Sequence, residues 1–189
     1  MAFASGEDLY PNPPAYRLGI DVMRLQLPPR LSYADFVESI SEQVRRRCAL
    51  PLSPRKADEA HQLTPFELTL LQDPHLDENE AIHRVFLMWT LKEAYIKALG
   101  LGMRMDLNQI EYDVIRDVVR IQGRRPIGWK FVRTEIERGD DRYAVVVVKY
   151  IGEQDYARGE CYVERRPPGD WLKVWDAADI FRRALVELH

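Results

Sequence analysis

Apolar and polar residues follow a helical period in much of the first half of the chain and a period of two in much of the second half. Ahead of both, the run from Leu18 to Met23 is apolar except at Asp21 and predicts a first strand from Tyr16 to Leu25. We expect this strand to be buried on both faces apart from the acid. Because an unpaired carboxylate is costly to bury, Asp21 either lies at an open edge, solvated or paired with an arginine, or meets a metal ion.

Helix signals follow the first strand. Ser32 can cap a helix predicted from Tyr33 to about Cys48, and the polar, proline-containing stretch from Leu50 to Gln62 predicts a loop. Thr64-Pro65-Phe66-Glu67 predicts the start of a short helix that Asp73-Pro74 ends. Its glutamate completes a capping box, and this local role is favoured over a role in a site.

The longest helix is predicted from Glu78 to Leu99, with Gly100 and Gly102 as its stop. Its apolar surface is expected from Ile82, Phe86, Trp89, Tyr95 and Leu99. Strands are then predicted over 110–114, 118–122, 129–136 and 143–150, and a C-terminal helix from Trp171 to His189.

This order of elements predicts an α+β fold in which helices pack on one face of a mostly antiparallel sheet that the first strand joins. We expect a flexible leader over residues 1–15, one domain over 16–150 and a C-terminal extension over 151–189 that carries the last helix.

Composition narrows the function classes without naming one. The formal net charge of −3 gives no general attraction to nucleic acid or to anionic membranes. Two cysteines in 189 residues indicate a reducing compartment, and the longest apolar run, Ala144 to Val148, is too short to span a bilayer. We therefore expect a cytoplasmic protein with no nucleic-acid or membrane partner.

The candidate chemistry lies on the longest helix. Trp89, Glu93 and Lys97 are spaced four residues apart, which stacks an aromatic ring, a carboxylate and an ammonium on one face. Such acid–lysine pairs are common on exposed helices, where they contribute only about 0.2–0.5 kcal/mol. The tryptophan, taken alone, would be expected to be a residue of the hydrophobic core. If Asp21 approaches Glu93, however, the two acids can share a metal ion beside a lysine, as in phosphate-handling sites.

Together these segments resemble the two signatures of the 4′-phosphopantetheinyl transferases. The matching residues are Gly19-Ile20-Asp21-Val22 and the run from Trp89 to Gly100. The tryptophan is similar to the surfactin-synthetase-activating type, and the closest subtype is the eukaryotic one that activates aminoadipate-semialdehyde dehydrogenase. The features shared with that subtype are Gly19 to Met23, Gly100, Gly102 and the run from Leu107 to Asp113.

The resemblance implies transfer of the phosphopantetheine arm of coenzyme A, as co-substrate, to a serine of an apo carrier protein. By motif position, Asp21 and Glu93 would bind Mg²⁺ and Lys97 would contact a phosphate. Glu93, directly or through a metal-bound water, would be the base for the serine hydroxyl. The stretch from Glu93 to Lys97 would line the coenzyme A site. Many bacterial relatives carry a further acid at the position of Met23. The subtype linked to lysine biosynthesis has a methionine there, as this chain does.

The resemblance covers about residues 16–150 and only the second half of a two-half enzyme, so a half-domain is expected. Three alternatives follow: one half of a split enzyme with a separate partner for the N-terminal half, a homo-oligomer whose neighbouring copy supplies the missing wall, or a truncated product. A non-catalytic carrier-binding module, docking through Phe86, Met88 and Trp89, is the rival function, and a purely structural α+β domain is a further one.

Overall fold

The computed structural model of the protein describes residues 17–27, 32–33, 35, 63–101, 105–152, 159–169, 171–172 and 177–187. The predicted leader and the loop over 50–62 lie outside the described residues. So does the helix predicted to begin at Tyr33, apart from its first turn. There the Ser32 hydroxyl accepts a hydrogen bond from the amide of Asp35 at 3.1 Å, as expected of a helix cap.

The bounds of the elements in this part of the chain are β1 Leu18–Arg24, α1 Pro65–Leu71, α2 Glu78–Leu99, a 3-10 turn Leu107–Gln109, β2 Ile110–Asp113, β3 Val118–Ile121, β4 Trp129–Arg138, β5 Asp141–Tyr150, β6 Cys161–Arg165 and α3 Ala177–Glu187. The bounds of α2 agree with the prediction, and Gly100 ends it in the left-handed conformation, with φ of 68°. The C-terminal helix starts at Ala177, later than predicted. Trp171 lies in a turn instead, and its indole N–H donates to the carbonyl of Pro167.

The six strands form one sheet in the order β1-β5-β4-β6-β3-β2. Every neighbouring pair is antiparallel except β4 and β6, which run parallel. The α+β class with a mostly antiparallel sheet is confirmed, and β1 joins the later strands by pairing with β5. The strand β6, which was not predicted, comes from the segment expected to be an extension and lies between β4 and β3.

The position of β1 corrects one prediction. It is an edge strand, and Val22 on it is 52% exposed, so β1 is not buried on both faces. An apolar run of this length is compatible with a central strand or with an edge strand. A strand that a helix covers on one face needs apolar residues only at alternate positions, so the run does not require burial of both faces. The acid at Asp21 is therefore tolerated at a partly open edge.

The core lies between α2 and the sheet, chiefly β1 and β5. The helix face expected from sequence is only partly right. Ile82, Trp89 and Leu99 are half-buried, whereas Val85, Leu91 and other residues are buried almost completely. The reason is that α2 also contacts α1 and β2, so it is apolar around much of its circumference and no single stripe defines its buried face.

The start of α1 is a capping box, as predicted. The Thr64 hydroxyl accepts from the amide of Glu67 at 3.2 Å, and the Glu67 carboxylate accepts from the amide of Thr64 at 2.7 Å. Across the helices that the structure describes, none combines the length and the apolar character needed to cross a membrane.

Candidate functional site

The site is built where β1 crosses α2, and Gly19 allows that crossing. A Cβ atom placed on Gly19 would lie 2.0 Å from the carbonyl oxygen of Ala94 and 2.5 Å from the amide nitrogen of Ala98. Both atoms belong to the helix backbone, which cannot move aside as a flexible side chain can. Only glycine therefore lets the strand lie this close to the helix, and the approach brings the next inward residue of β1 against the same helix.

That next residue is Asp21, and its carboxylate meets Lys97. The Nζ atom of Lys97 donates to Oδ1 of Asp21 at 2.5 Å. The carboxylate is 12% exposed and the lysine side chain 50% exposed, so the pair lies at the rim of the crossing with its ammonium facing solvent. Sequence reasoning allowed an arginine or solvent as the partner of this acid, and the structure gives it the lysine of the helix signature.

Glu93 lies one turn before Lys97, a rise of about 6 Å along α2. It is half-buried, and its carboxylate forms no ion pair or side-chain hydrogen bond within the part of the chain described above. Asp21 therefore contacts the same helix face that carries Glu93, and the crossing presents two carboxylates and one ammonium. Oxygen donors of this kind bind hard divalent cations, and an ammonium beside them is a point charge suited to a phosphate.

A buried ion pair lies beneath the exposed one. The Nζ atom of Lys92 is 2.5 Å from Oε2 of Glu67, with side-chain exposures of 1% and 0%. The other oxygen of Glu67 accepts from the backbone amide of Tyr112 at 3.0 Å, so one carboxylate joins α1, α2 and β2. Burial raises the pKa of Glu67 and lowers the pKa of Lys92, and in each case the charge of the partner opposes that shift.

This buried pair adds to the sequence interpretation of Glu67, which favoured its capping role over a role in a site. The cap is present, but the same carboxylate also neutralises Lys92. No signal in the sequence could have joined the two, because they are 25 positions apart and Lys92 looks like an ordinary solvated lysine of an acid–lysine motif.

The surface proposed for carrier docking without catalysis is also corrected. Met88 is fully buried and Phe86 is 7% exposed, while Trp89 is half-buried. Phe86 and Met88 are covered by the rest of the domain, since α2 packs on several elements at once, and Trp89 alone is a small patch. They do not form a docking face in this fold.

Metal-ligating residues are sparse at this crossing. Over the ranges that the structure describes, no three His, Cys, Asp or Glu side chains lie together as a ready-made metal site. The described residues of the crossing offer two carboxylates, at Asp21 and Glu93, and Met23 is a half-buried thioether that suits magnesium poorly. His83, two turns or more before Glu93 on α2, pairs with Glu135 of β4 at 2.8 Å.

The crossing thus holds an acidic strand residue, Asp21, against the lysine of an acid–lysine helix. Comparison with known proteins assigns the family. The sequence model of the 4′-phosphopantetheinyl transferase superfamily matches residues 17–148. The chain therefore belongs to the 4′-phosphopantetheinyl transferase superfamily.

Individual relatives agree with that assignment. The chain is 37% identical over 188 residues to 4′-phosphopantetheinyl transferase pptA of Paxillus involutus, an alignment that covers 100% of this chain and 62% of that protein. It is 25% identical over 101 residues to the L-aminoadipate-semialdehyde dehydrogenase-phosphopantetheinyl transferase of Mus musculus, covering 53% of this chain and 26% of that one. The chain thus spans less than two thirds of the length of these relatives.

Among solved structures, the chain is similar to an ACPS–CoA complex of Chronobacterium ammoniagenes, with 17% sequence identity and a TM-score of 0.36. That similarity covers 72% of this chain and 98% of the other. The apo form of the same protein gives a TM-score of 0.37.

Proposed function

We propose that this chain transfers the 4′-phosphopantetheine arm of coenzyme A to a serine hydroxyl of an apo carrier protein. Family membership supports the reaction class, and one observation carries the proposal for the site: Lys97 engages Asp21 one helical turn from Glu93. We further propose that it belongs to the surfactin-synthetase-activating type, near the subtype named for aminoadipate-semialdehyde dehydrogenase, and acts in the cytoplasm. The named mouse relative supports that subtype.

The residues at the crossing fit a magnesium ion. Asp21 and Glu93 supply hard oxygen donors, and the ammonium of Lys97 on Asp21 marks a position that already attracts a cation. Magnesium in proteins is commonly bound by one or two carboxylates with water and substrate phosphates completing its shell, so two acids suffice. When bound, the metal supplies charge neutralisation on the pyrophosphate of coenzyme A.

The chain's own groups account for the remaining steps. Lys97 exchanges Asp21 for a phosphate oxygen and holds it by its positive charge. Glu93 accepts the proton of the serine hydroxyl while the serine oxygen attacks the phosphorus of the pantetheine-bearing phosphate. The phosphoanhydride bond breaks, and adenosine 3′,5′-bisphosphate leaves with the electron pair.

The test is a mass measurement on an apo carrier protein mixed with the chain, coenzyme A and magnesium. A gain of one phosphopantetheine arm is expected, and Glu93→Gln should abolish it because a metal ligand and a base are lost together. Glu78→Gln is the matched control, since Glu78 lies in the first turn of the same helix and is exposed. A carrier modified equally by the Glu93→Gln variant would contradict the assigned role.

A second candidate has a specific observation in its favour. The chain spans 62% of the length of its fungal relative, and we propose as the alternative that it binds a carrier protein but needs a second copy or a further segment of the enzyme for catalysis. Sedimentation over a concentration series, with and without coenzyme A, distinguishes self-association from dependence on another chain. Carrier binding that is indifferent to magnesium, with no mass gain at any concentration, would favour this candidate.

A further inference from the structure

A cavity of about 320 Å³ opens on β4 beyond the end of its pairing with β6. The two strands pair only from Phe131 to Arg133, so the edge of β4 that follows has no neighbouring strand on this side within the described part of the chain. The cavity is lined by His83, Arg133, Thr134, Glu135, Arg165 and Arg166, with two prolines that follow β6. His83 precedes Glu93 by ten residues on α2, a separation of about 15 Å along the helix axis.

Thr134 is the first sign that the cavity is built to hold something. The residue is 5% exposed, yet its hydroxyl has no hydrogen-bond partner among the residues that the structure describes. Buried polar side-chain atoms in folded proteins are nearly always satisfied, and one that is not calls for an explanation such as a ligand. Because Thr134 lines the cavity, a group bound there could provide the missing partner.

The second sign is the supply of positive charge. Arg133 and Arg165 both bond to the one carboxylate of Asp117. Arg166 bonds to Glu164, which Lys130 also engages. These acids are thus shared between cations.

The acid in the wall itself is also fully engaged. Glu135 is contacted by His83 at 2.8 Å, by Arg142 at 2.7 Å and by Arg133 at 3.8 Å. The side chains of Arg165 and Arg166 keep 61% and 38% of their surface exposed, so each guanidinium has donors left to offer.

From these observations we propose that the cavity is a binding site for a small oxyanion, that is, a phosphate or a carboxylate group. The Thr134 hydroxyl and the guanidinium group of Arg166, whose alternation along the chain places them on the same face of the sheet, are the donors. Guanidinium pairs with both anions through two parallel hydrogen bonds, and a hydroxyl adds a third. This inference is independent of the transferase reaction, which we assign to the crossing of β1 and α2.

The test is calorimetric titration of the whole chain with inorganic phosphate and, separately, with malonate. We expect saturable binding of one anion, and Thr134→Val and Arg166→Gln should each weaken it about tenfold, the effect of losing a hydrogen bond to a charged group. Thr134→Val should leave thermal stability unchanged or higher, since the hydroxyl that it removes has no partner within the fold. Arg120→Gln is the matched control, because Arg120 is also ion-paired but lies near the other end of β6.

A second readout identifies the site of binding. Arg166 lies over the ring of Trp171, 5.5 Å from its centroid, so anion binding at Arg166 should change the fluorescence of this tryptophan and the change should vanish in Trp171→Phe. Lys97→Met should leave the anion-dependent change in Trp171 fluorescence unaltered, because Trp171 reports on Arg166 and not on the crossing of β1 and α2. Absence of saturable binding for both anions would overturn the proposal, and so would binding that Lys97→Met removes while Thr134→Val and Arg166→Gln preserve it.

Discussion

Replacing Lys92 by methionine tests whether the buried ion pair beneath the site holds the fold together. Methionine keeps the length and the apolar stem of the side chain but removes the ammonium. The carboxylate of Glu67 then keeps its two backbone donors, Thr64 and Tyr112, and loses the charge that neutralises it at 2.5 Å. Breaking a buried pair from one side leaves an uncompensated charge.

The expected loss of unfolding free energy is large. Removing one partner of a buried pair costs about 3–5 kcal/mol, because the remaining ion keeps its desolvation penalty without its compensation. The same substitution at Lys97 is the matched control on the same helix. Its ammonium is 50% exposed, and such pairs contribute about 0–1 kcal/mol.

The loss should depend on pH with a definite sign. Burial raises the pKa of Glu67 above its usual 4.5, and without Lys92 an influence that lowers it is gone. An acid whose pKa is raised by folding stabilises the fold below its unfolded pKa, and that contribution disappears as the pH rises through the folded value. The deficit of Lys92→Met should therefore be smaller at about pH 5 than at about pH 8.

The measurement is urea denaturation of the wild type and of both lysine variants at each pH, followed by tryptophan fluorescence. A Lys92→Met variant as stable as Lys97→Met would refute the reasoning. A deficit that does not change with pH would show that the ionisation of the unpaired Glu67 carboxylate is not its cause.

Two further predictions concern the elements that position the site. Gly19→Ala should lower the unfolding free energy by at least about 3 kcal/mol. This is at the top of the usual range for overpacking, because the new methyl group meets the helix backbone at 2.0 Å. Urea midpoints measure the loss, and a near-neutral result would contradict the close crossing. Thr64→Ala should cost about 1 kcal/mol through loss of the α1 cap, seen as a lower melting temperature, and no change would show that the cap is dispensable.

Local signals predicted the long elements well, for physical reasons. The helix α2 has a capping aspartate at Asp77 and a left-handed glycine at its end, so both of its limits depend on neighbouring residues. The strand β6 was missed because it has five residues, two of them charged, and gains its hydrogen bonds from β3 and β4, which are distant in sequence. Its alternation of buried Cys161 and Val163 with exposed Tyr162 was a signal too short to separate from a loop.

The site residues were predicted from a resemblance, and their partners were not. The approach of Asp21 to Lys97 depends on Gly19, whose importance is visible only when the helix lies on the strand. Likewise, the cationic cavity on β4 joins residues of α2, β4 and β6 that no local pattern connects. Long-range contacts of this kind depend on the order of the strands in the sheet. The sequence predicted only the fold class, an α+β domain with a mostly antiparallel sheet, and not that order.

The two lysines of the helix signature show how one short motif contains two different roles. At about 100° per residue, Lys92 and Lys97 lie about 140° apart around α2, whereas Glu93 and Lys97 are about 40° apart. Lys92 therefore points to α1 and β2, where its charge is buried and satisfied within the fold, and Lys97 points to β1 and solvent, where its charge is available. Since Glu93 shares the open side, a ligand at the crossing meets Glu93 and Lys97 but not Lys92. Substitution of Lys92 should consequently impair activity only as far as it unfolds the chain, and substitution of Lys97 should impair it in a chain that stays folded.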